Sequence, residues 1–341
     1  MAIFELTARG PLHQGEFVGI NREAALDWIP SDSLFAAIVA AWARQGLNVA
    51  ERLARFQPGQ EPPLIITSAF PRAGAVRFYP APPRLPKHSG LVGEGKSGKA
   101  AKKVRWLSQG VLETLVNGQT PDASDGNFLH GKTTWLTDSE RQSISSLFEK
   151  DESDKASLWR KQIVPHVTVD RVSNASNLFH TGRVTFGRGC GLWFAARGQV
   201  DGMREALGYL ADAGLGGLRS TGHGAFTLEE RADDLPEANE WGLTLSRYAP
   251  QTDDEIRGLQ NPDSAYKLVM VGGWCEDDEG HPWRRRAVRL VAEGALLPAA
   301  ARGALVDVRP KKIEEWRDPL RPVYRSGLAF MIPAGKLVEA A

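Results

Sequence analysis

Apolar and polar residues alternate from the start of the chain: Phe4, Leu6 and Ala8 interleave with Glu5, Thr7 and Arg9 and run into Gly10-Pro11. That period of two predicts a half-buried strand closed by a turn, because successive side chains of an extended chain point to opposite faces. The period then changes. Leu34, Phe35, Ile38, Val39 and Trp42 recur at helical spacing between Ser31-Asp32-Ser33 and Gly46. This predicts an amphipathic helix of about four turns, with Asp32 in the segment that caps its first N–H groups. Residues 64–67 and 76–79 read as short strands, stopped by Pro71 and by the run Pro80, Pro82, Pro83 and Pro86, since proline at that density does not suit a central strand. From 84 to about 160 the periodicity fades into Gly, Ser, Lys and Asp with isolated Trp106, Trp135 and Trp159. That stretch is expected to be a long, partly mobile insertion, weakly helical only at 104–115 and 143–148. Alternation returns at 164–172, 183–186 and 191–196. Met203, Leu207 and Leu210 then mark a second helix, Gly214 ends it, and 218–228 forms a last strand.

Without the insertion the order is strand, helix, strand, strand, helix, strand. This is the ferredoxin-like (RRM-like) βαββαβ unit of the α+β class, whose sheet carries helices on one face and leaves the other open for RNA or a partner. A looser second pass starts near Trp241, with strands expected around 266–274, 286–292 and 327–332. At 341 residues the chain exceeds one ordinary core. Two domains follow, 1–235 with the insertion at about 84–160 and a glycine-rich loop at 214–224, and a degenerate copy at 236–341, each with its own core.

Composition adds mainly exclusions. There is no run of about 18 apolar residues and the N-terminus lacks a basic, then apolar, leader, so a cytoplasmic protein with no membrane partner is expected. Cys190 and Cys275 are too few for a disulfide framework or a cysteine zinc site. The seven histidines are scattered without metal-ligand spacing, and neither a metal nor another cofactor is expected. Net charge is only +1, yet the charges are segregated. Between 84 and 105 seven basic residues (Lys102 and Lys103 among them) face one acid, and between 309 and 325 six face three. Such segregation suits a subunit with one surface turned toward a polyanion.

Two segments match the phosphate-loop pattern GxxxxGK[ST], Gly90 to Ser97 and Gly126 to Thr133. Neither follows a core strand, so neither has the strand-to-helix setting in which backbone N–H groups converge on phosphates. His13, on the turn after the first strand, is a candidate general base for RNA cleavage, although a lone turn histidine is more often simply solvated. The most informative run is 214–224, with five glycines in eleven residues. Gly214, Gly216, Gly217 and Gly222 allow close backbone approach to a ligand, while Arg219, Ser220, Thr221 and His223 supply donors for phosphate oxygens. A bulged turn that packs helix against strand is the competing reading. A dinucleotide fingerprint fits poorly, because here the helix precedes the glycines and a strand follows.

A glycine loop after the second helix of such a unit resembles that of the RAMP superfamily of CRISPR proteins. The likeness extends to Ile29-Pro30-Ser31-Asp32-Ser33-Leu34-Phe35, to Ser68-Ala69-Phe70-Pro71 with Phe78-Tyr79-Pro80, to Val167-Thr168-Val169-Asp170-Arg171, and to Pro322-Val323-Tyr324-Arg325-Ser326-Gly327. These lie in the order of the branch that supplies subunit four of type III-A effector complexes. The resemblance implies two ferredoxin-like RAMP domains in a noncatalytic RNA-binding subunit, part of an antiviral-defence ribonucleoprotein. Such a subunit caps the crRNA 5′ tag, meets target RNA through the complex, and contacts the large polymerase-like subunit and a backbone RAMP subunit. It further implies RNA contacts at Arg171, Asn174, His13, Lys102, Lys103 and Arg325, besides the glycine loop, and a thumb hairpin contained in or supported by the 84–160 insertion. The alternative is a metal-independent crRNA-processing endoribonuclease of the same superfamily, with His13 as base. Some backbone RAMP subunits cleave target RNA with an aspartate near the first helix; for Asp32 the capping role fits the sequence better.

Overall fold

The computed structural model describes residues 1–19, 22–57, 60–92, 98–150, 156–172, 175–276, 281–310 and 323–338. Asn174, Lys96 and the basic run at 311–322 lie outside them.

The sheet at the centre grows from β1 (Ala2–Ala8), which is followed by α1 (Ser31–Arg44), β2 (Phe70–Ala73) and β3 (Val76–Pro80). A long hairpin, β4 (Trp159–Val169) and β5 (Ser176–Phe186), then leads to β6 (Cys190–Gly198), α2 (Asp201–Ala213) and β7 (Phe226–Arg231). The central strands lie in the order β7-β1-β6-β2-β3, each antiparallel to its neighbour. The alternation read from Phe4, Leu6 and Ala8 is realised in β1, whose Phe4 stacks on Phe194 of β6 at 5.1 Å between ring centroids. The helical spacing of Leu34, Phe35, Ile38 and Trp42 becomes the buried stripe of α1. Met203, Leu207 and Leu210 do the same for α2, and the Trp42 indole N–H donates to the Gly202 carbonyl at 2.7 Å, tying the two helices together.

Three expectations change. Pro71 does not stop a strand but sits inside β2, opposite Leu192; its missing N–H does no harm because β2 pairs with β3 only from Arg72 onward. The insertion is not a loose loop. Trp106–Ser108, Thr134–Trp135 and Phe128–Leu129 extend the central sheet beyond β3, and Trp106, Leu107, Trp135 and Leu136 are buried. Tryptophans spaced too widely for a period escape a pattern search, yet each buries a large apolar area once folded. The second face of the sheet is not open either. Glu5, Arg72, Arg77 and Trp193 are buried there, with Arg77 3.2 Å from Glu5 and 2.7 Å from Asp233, and Arg231 3.4 Å from Glu5.

The C-terminal half is built from small pieces. Trp241–Thr244 lies between Leu296–Pro298 and Met331–Pro333, while Leu268–Val271 pairs with Val288–Val291 and Leu305–Asp307 with Tyr324–Ser326. The helix Asp253–Gln260 is opened by a capping box of Thr252 and Glu255. Where two cores were expected, one apolar cluster runs through both halves and takes in Leu243, Leu245, Phe330, Ile332 and Leu337, with two small clusters beside it.

The halves are also joined by a buried polar network at the start of α1. Asp32 makes no capping bond: the helix is entered from Pro30 with no side-chain cap. Its carboxylate is fully buried and takes a hydrogen bond from Arg247 Nη1 at 2.8 Å, and Arg325 Nη1 lies 3.8 Å from its other oxygen and 3.1 Å from its carbonyl. Around it, Ser31 N–H donates to Ser68 Oγ, Ser68 Oγ–H to Glu293, and Arg247 N–H to Ser31 Oγ. Cap reading fails here because the first-turn N–H groups already find acceptors in Ser68 Oγ and the Pro30 carbonyl, and the buried carboxylate pairs with charges delivered by the distant C-terminal half. Removing one partner of a buried ion pair leaves the other uncompensated. Asp32→Ala is therefore expected to cost about 3–5 kcal/mol in a denaturant titration; a loss within about 0.5 kcal/mol, the scale of a surface change, would show that the network does not hold the halves together.

Candidate nucleic-acid interface

The glycine loop divides into a packed stem and an open crest. In the stem, Leu215 N–H donates to Gly224 O (3.0 Å), Gly224 N–H to Pro11 O (2.8 Å) and Gly217 N–H to His13 O (2.7 Å). The stem demands glycine, as Gly224 and Gly216 illustrate. A Cβ at Gly224, with φ +77°, would stand 1.9 Å from Leu215 O, and one at Gly216, with φ +85°, 2.5 Å from His13 O. The tight-packing reading thus accounts for the stem. Gly214 belongs to it as well, ending α2 with its N–H on Leu210 O.

The crest is different. Arg219, Ser220, Thr221 and Gly222 are exposed, and Arg219–Thr221 forms a single 3₁₀ turn entered from Leu218 in a left-handed conformation. Among the described residues, the Arg219 guanidinium meets no carboxylate, and the backbone N–H groups of Leu218, Arg219 and Ser220 meet no protein acceptor. A guanidinium and successive amides without a protein acceptor on one turn are donors of the kind that hold phosphate oxygens.

His13 braces this loop to the hairpin. It is buried, not solvated, with Nδ1 2.6 Å from the Gly182 carbonyl of β5, while Leu12 exchanges two backbone hydrogen bonds with Val184. A histidine so enclosed is placed to position the loop and not to reach a 2′-hydroxyl on the surface. His223 lies beside the crest with Nδ1 3.1 Å from Thr221 Oγ1. Burial holds its imidazole below the ordinary 6.5; a hydrogen bond to the Thr221 backbone opposes this, while the electrostatic influence of His13, Arg183 and His166 adds to it. Arg183, near the root of the hairpin, and His166, farther out along it, were not singled out from the sequence; their only signal is that they occur in its strands.

The hairpin projects. β4 and β5 pair from Trp159↔Phe186 to Val169↔Ser176, and one face presents Ile163, Val167, Val169 and Leu178 to solvent. It therefore follows the insertion, beginning at 159, instead of lying within it. Arg171 is exposed at the far turn, and its neighbour Asn174 is outside the described residues. The remaining candidates do not join the loop. Lys102 and Lys103 are exposed on the short helix Lys99–Lys103, over a separate cleft. Arg325 is spent internally on Asp32, so it is not a surface cation.

The phosphate-loop matches remain without their setting. Gly126 to Thr133 is broken into 3₁₀ turns around the two-residue strand Phe128–Leu129, and Lys132 pairs with Asp125 at 2.7 Å. Most of Gly90 to Ser97 lies outside the described residues. Among those described, no cluster of His, Cys, Asp or Glu could hold a metal ion, and no helix is long and apolar enough to cross a membrane.

Comparison with known proteins agrees with this architecture. The family model of the CRISPR Csm4 C-terminal domain matches residues 237–334. A "CRISPR system Cms protein Csm4" of Streptococcus thermophilus is 23% identical over 294 residues, covering 82% of this chain and 84% of the relative. Its namesake from Thermococcus onnurineus (strain NA1) is 29% identical over 142 residues, 39% of this chain and 43% of that protein's length. Among solved structures, a chain of a Csm3–Csm4 subcomplex from the type III-A interference complex superposes with a TM-score of 0.65 at 16% identity, over 98% of this chain and 99% of that one. A chain of a Csm1–Csm4 cassette does so with a TM-score of 0.54 at 19% identity, over 97% and 96%. Residues 237–334 thus match the Csm4 C-terminal domain. Over its whole length the chain shares the fold of chains in the Csm3–Csm4 and Csm1–Csm4 structures.

Two measurements check the loop. Gly224→Ala drives a methyl into backbone and should lower the thermal midpoint sharply, whereas Gly222→Asn, at φ +82° in open space, should cost less than about 1 kcal/mol because asparagine tolerates the left-handed region. Equal midpoints for the two would contradict the stem and crest division. The depressed His223 value means that the unfolded chain binds the proton more tightly. Its contribution to stability is full above 6.5 and lost as pH falls from there through the folded value. An NMR titration of the His223 ring should accordingly show a midpoint below 6.5, and a midpoint above it would reverse the sign.

Proposed function

We propose that this chain is a noncatalytic RNA-binding subunit of a type III-A CRISPR effector complex, seating the crRNA 5′ tag on the crest of its glycine loop. The observation that carries the reading is that crest: an exposed Arg219 and unsatisfied amides on a turn that the buried stem and His13 hold rigid. Preorganised donors of this kind bind the sugar–phosphate chain without reading its bases. Tag bases, being single-stranded, are then free to be splayed and stacked nearby. The resemblance to a pair of ferredoxin-like RAMP domains is kept for the two halves, the second reduced to short strands around one helix.

The hairpin is the natural thumb. Its apolar face, with Ile163, Val167 and Val169 on one strand, suits packing against a guide–target duplex or a neighbouring subunit. The relatives whose structures contain Csm1 or Csm3 support a place between the large polymerase-like subunit and the first backbone RAMP subunit. Buried His13 lends no support to the processing nuclease, and Asp32, committed to two arginines, none to target cleavage. The setting is cytoplasmic, and no cofactor is required.

Loss of a charge-assisted hydrogen bond costs about 1.5–3 kcal/mol. Arg219→Ala should therefore reduce crRNA retention by assembled complexes roughly tenfold or more, increasingly at raised salt, with an unchanged thermal midpoint. Retention equal to wild type across the salt series would remove the crest as the tag site. Wild-type protein alone should leave repeat RNA intact; site-specific cleavage abolished by His13→Ala would replace the scaffold with a nuclease.

A further inference from the structure

A second concave feature of the molecule lies away from the glycine loop. It is a cleft of about 1170 Å³ between the insertion, the root of the hairpin and the C-terminal half. Its lining contains seven basic side chains, Lys102, Lys103, Arg105, Arg160, Lys161, Arg247 and Lys267, and only two acids, Asp27 and Glu293. For a chain of net charge +1 this is a strong local excess, and low-dielectric walls focus its field into the cleft.

The two acids do not cancel that excess; they organise it. Asp27 is buried on the floor, where its Oδ2 accepts from the indole N–H groups of Trp106 (3.0 Å) and Trp159 (3.1 Å). Its Oδ1 lies 2.8 Å from Lys161 Nζ and 3.7 Å from Arg105 Nη1, so two cations are anchored with nearly half of each side chain still exposed. Burial opposes ionisation of Asp27, but Lys161, Trp106 and Arg105 outweigh it and hold the carboxyl below its usual value. The Arg105 guanidinium lies 4.8 Å from the centre of the Trp28 ring, with nearly half of its side chain exposed. The indole N–H of Trp28, which also lines the cleft, has no acceptor among the described residues. Lys102, Lys103 and Lys267 have no carboxylate partner among them either.

We propose that this cleft is a second binding site, for a nucleotide whose phosphate lies among Lys161, Lys102 and Lys103 and whose base stacks on the outer face of Arg105. A guanidinium plane backed by an indole stacks on any base, and ammonium groups around it neutralise the phosphate. The root of the hairpin separates the two sites: Trp159, Arg160, Lys161 and Gln162 of β4 line the cleft, while Gly182 of β5 holds His13 under the glycine loop. The choice of a nucleotide rests on the RNA-binding reading of this chain; the location does not. The nucleotide belongs either to an RNA strand or to a free nucleoside triphosphate, which share this chemistry.

The test is ultraviolet cross-linking of the purified full chain to a short single-stranded RNA containing 4-thiouridine, with peptide mapping and with ATP as competitor. Cross-links at 26–28, 101–106 or 160–162 are expected, persisting in Arg219→Ala. The exposed double variant Lys102→Glu/Lys103→Glu should bind at least tenfold more weakly, with a log–log salt slope smaller by roughly 1 to 1.5 for two lost phosphate contacts. Displacement by ATP assigns the site to a free nucleotide, and persistence of the cross-links assigns it to a strand. Cross-links confined to 214–224 and the hairpin, or wild-type affinity in the double variant, overturn the cleft site and leave the loop standing. Cross-links in the cleft with none at 214–224 support the cleft and remove the loop.

Discussion

One buried carboxylate carries the architecture. Asp32 enters the interior at the first turn of α1, and a charge there is tolerated only because Arg247 and Arg325 arrive from the other end of the chain to meet it. The hydroxyls of Ser31 and Ser68 and the carboxylate of Glu293 complete the network. Burial lowers the affinity of Arg325 for its proton, Asp32 restores it and nearby Arg247 opposes it, so acid and bases depend on one another. The consequence is geometric. With Arg247 held against α1, the C-terminal half is fixed over the insertion, and the cleft between them acquires a defined shape.

The same economy of charge governs the surfaces. Positive and negative residues nearly balance over the whole chain, yet Glu5, Asp27 and Asp32 are each buried beneath arginines or lysines. Acids placed underneath and cations at the rim make a neutral molecule present a basic cleft. The glycine loop follows a related logic with backbone instead of side chains. Stem amides are consumed by the carbonyls of Gly224, His13 and Pro11, and this internal pairing stiffens the turn beneath the crest amides.

Several features were legible along the chain. The period of two in β1, the helical spacing of α1 and α2, the turn at Gly214 and the short motifs around Ser31, Phe70 and Tyr324 needed only local geometry or a remembered pattern of residues. The fate of 84–160 was not legible. Trp106 and Trp135 sit on short strands whose neighbours in the sheet are far apart in sequence, and no local period records such pairing. His13 reads as a solvated turn residue until Gly182 and Gly217 close over it.

The sequence by itself determined β1, α1, α2 and the helix-to-strand glycine bend, because these depend on neighbours a few residues apart. Tertiary structure alone decided the roles of the ionisable groups. It made Asp32 an ion pair and not a cap, withdrew Arg325 from the surface, and set Lys102, Lys103 and Lys161 around one cleft. The reason is physical: a charge takes its role from its solvent exposure and from partners within a few ångströms, and here those partners lie tens to hundreds of residues away.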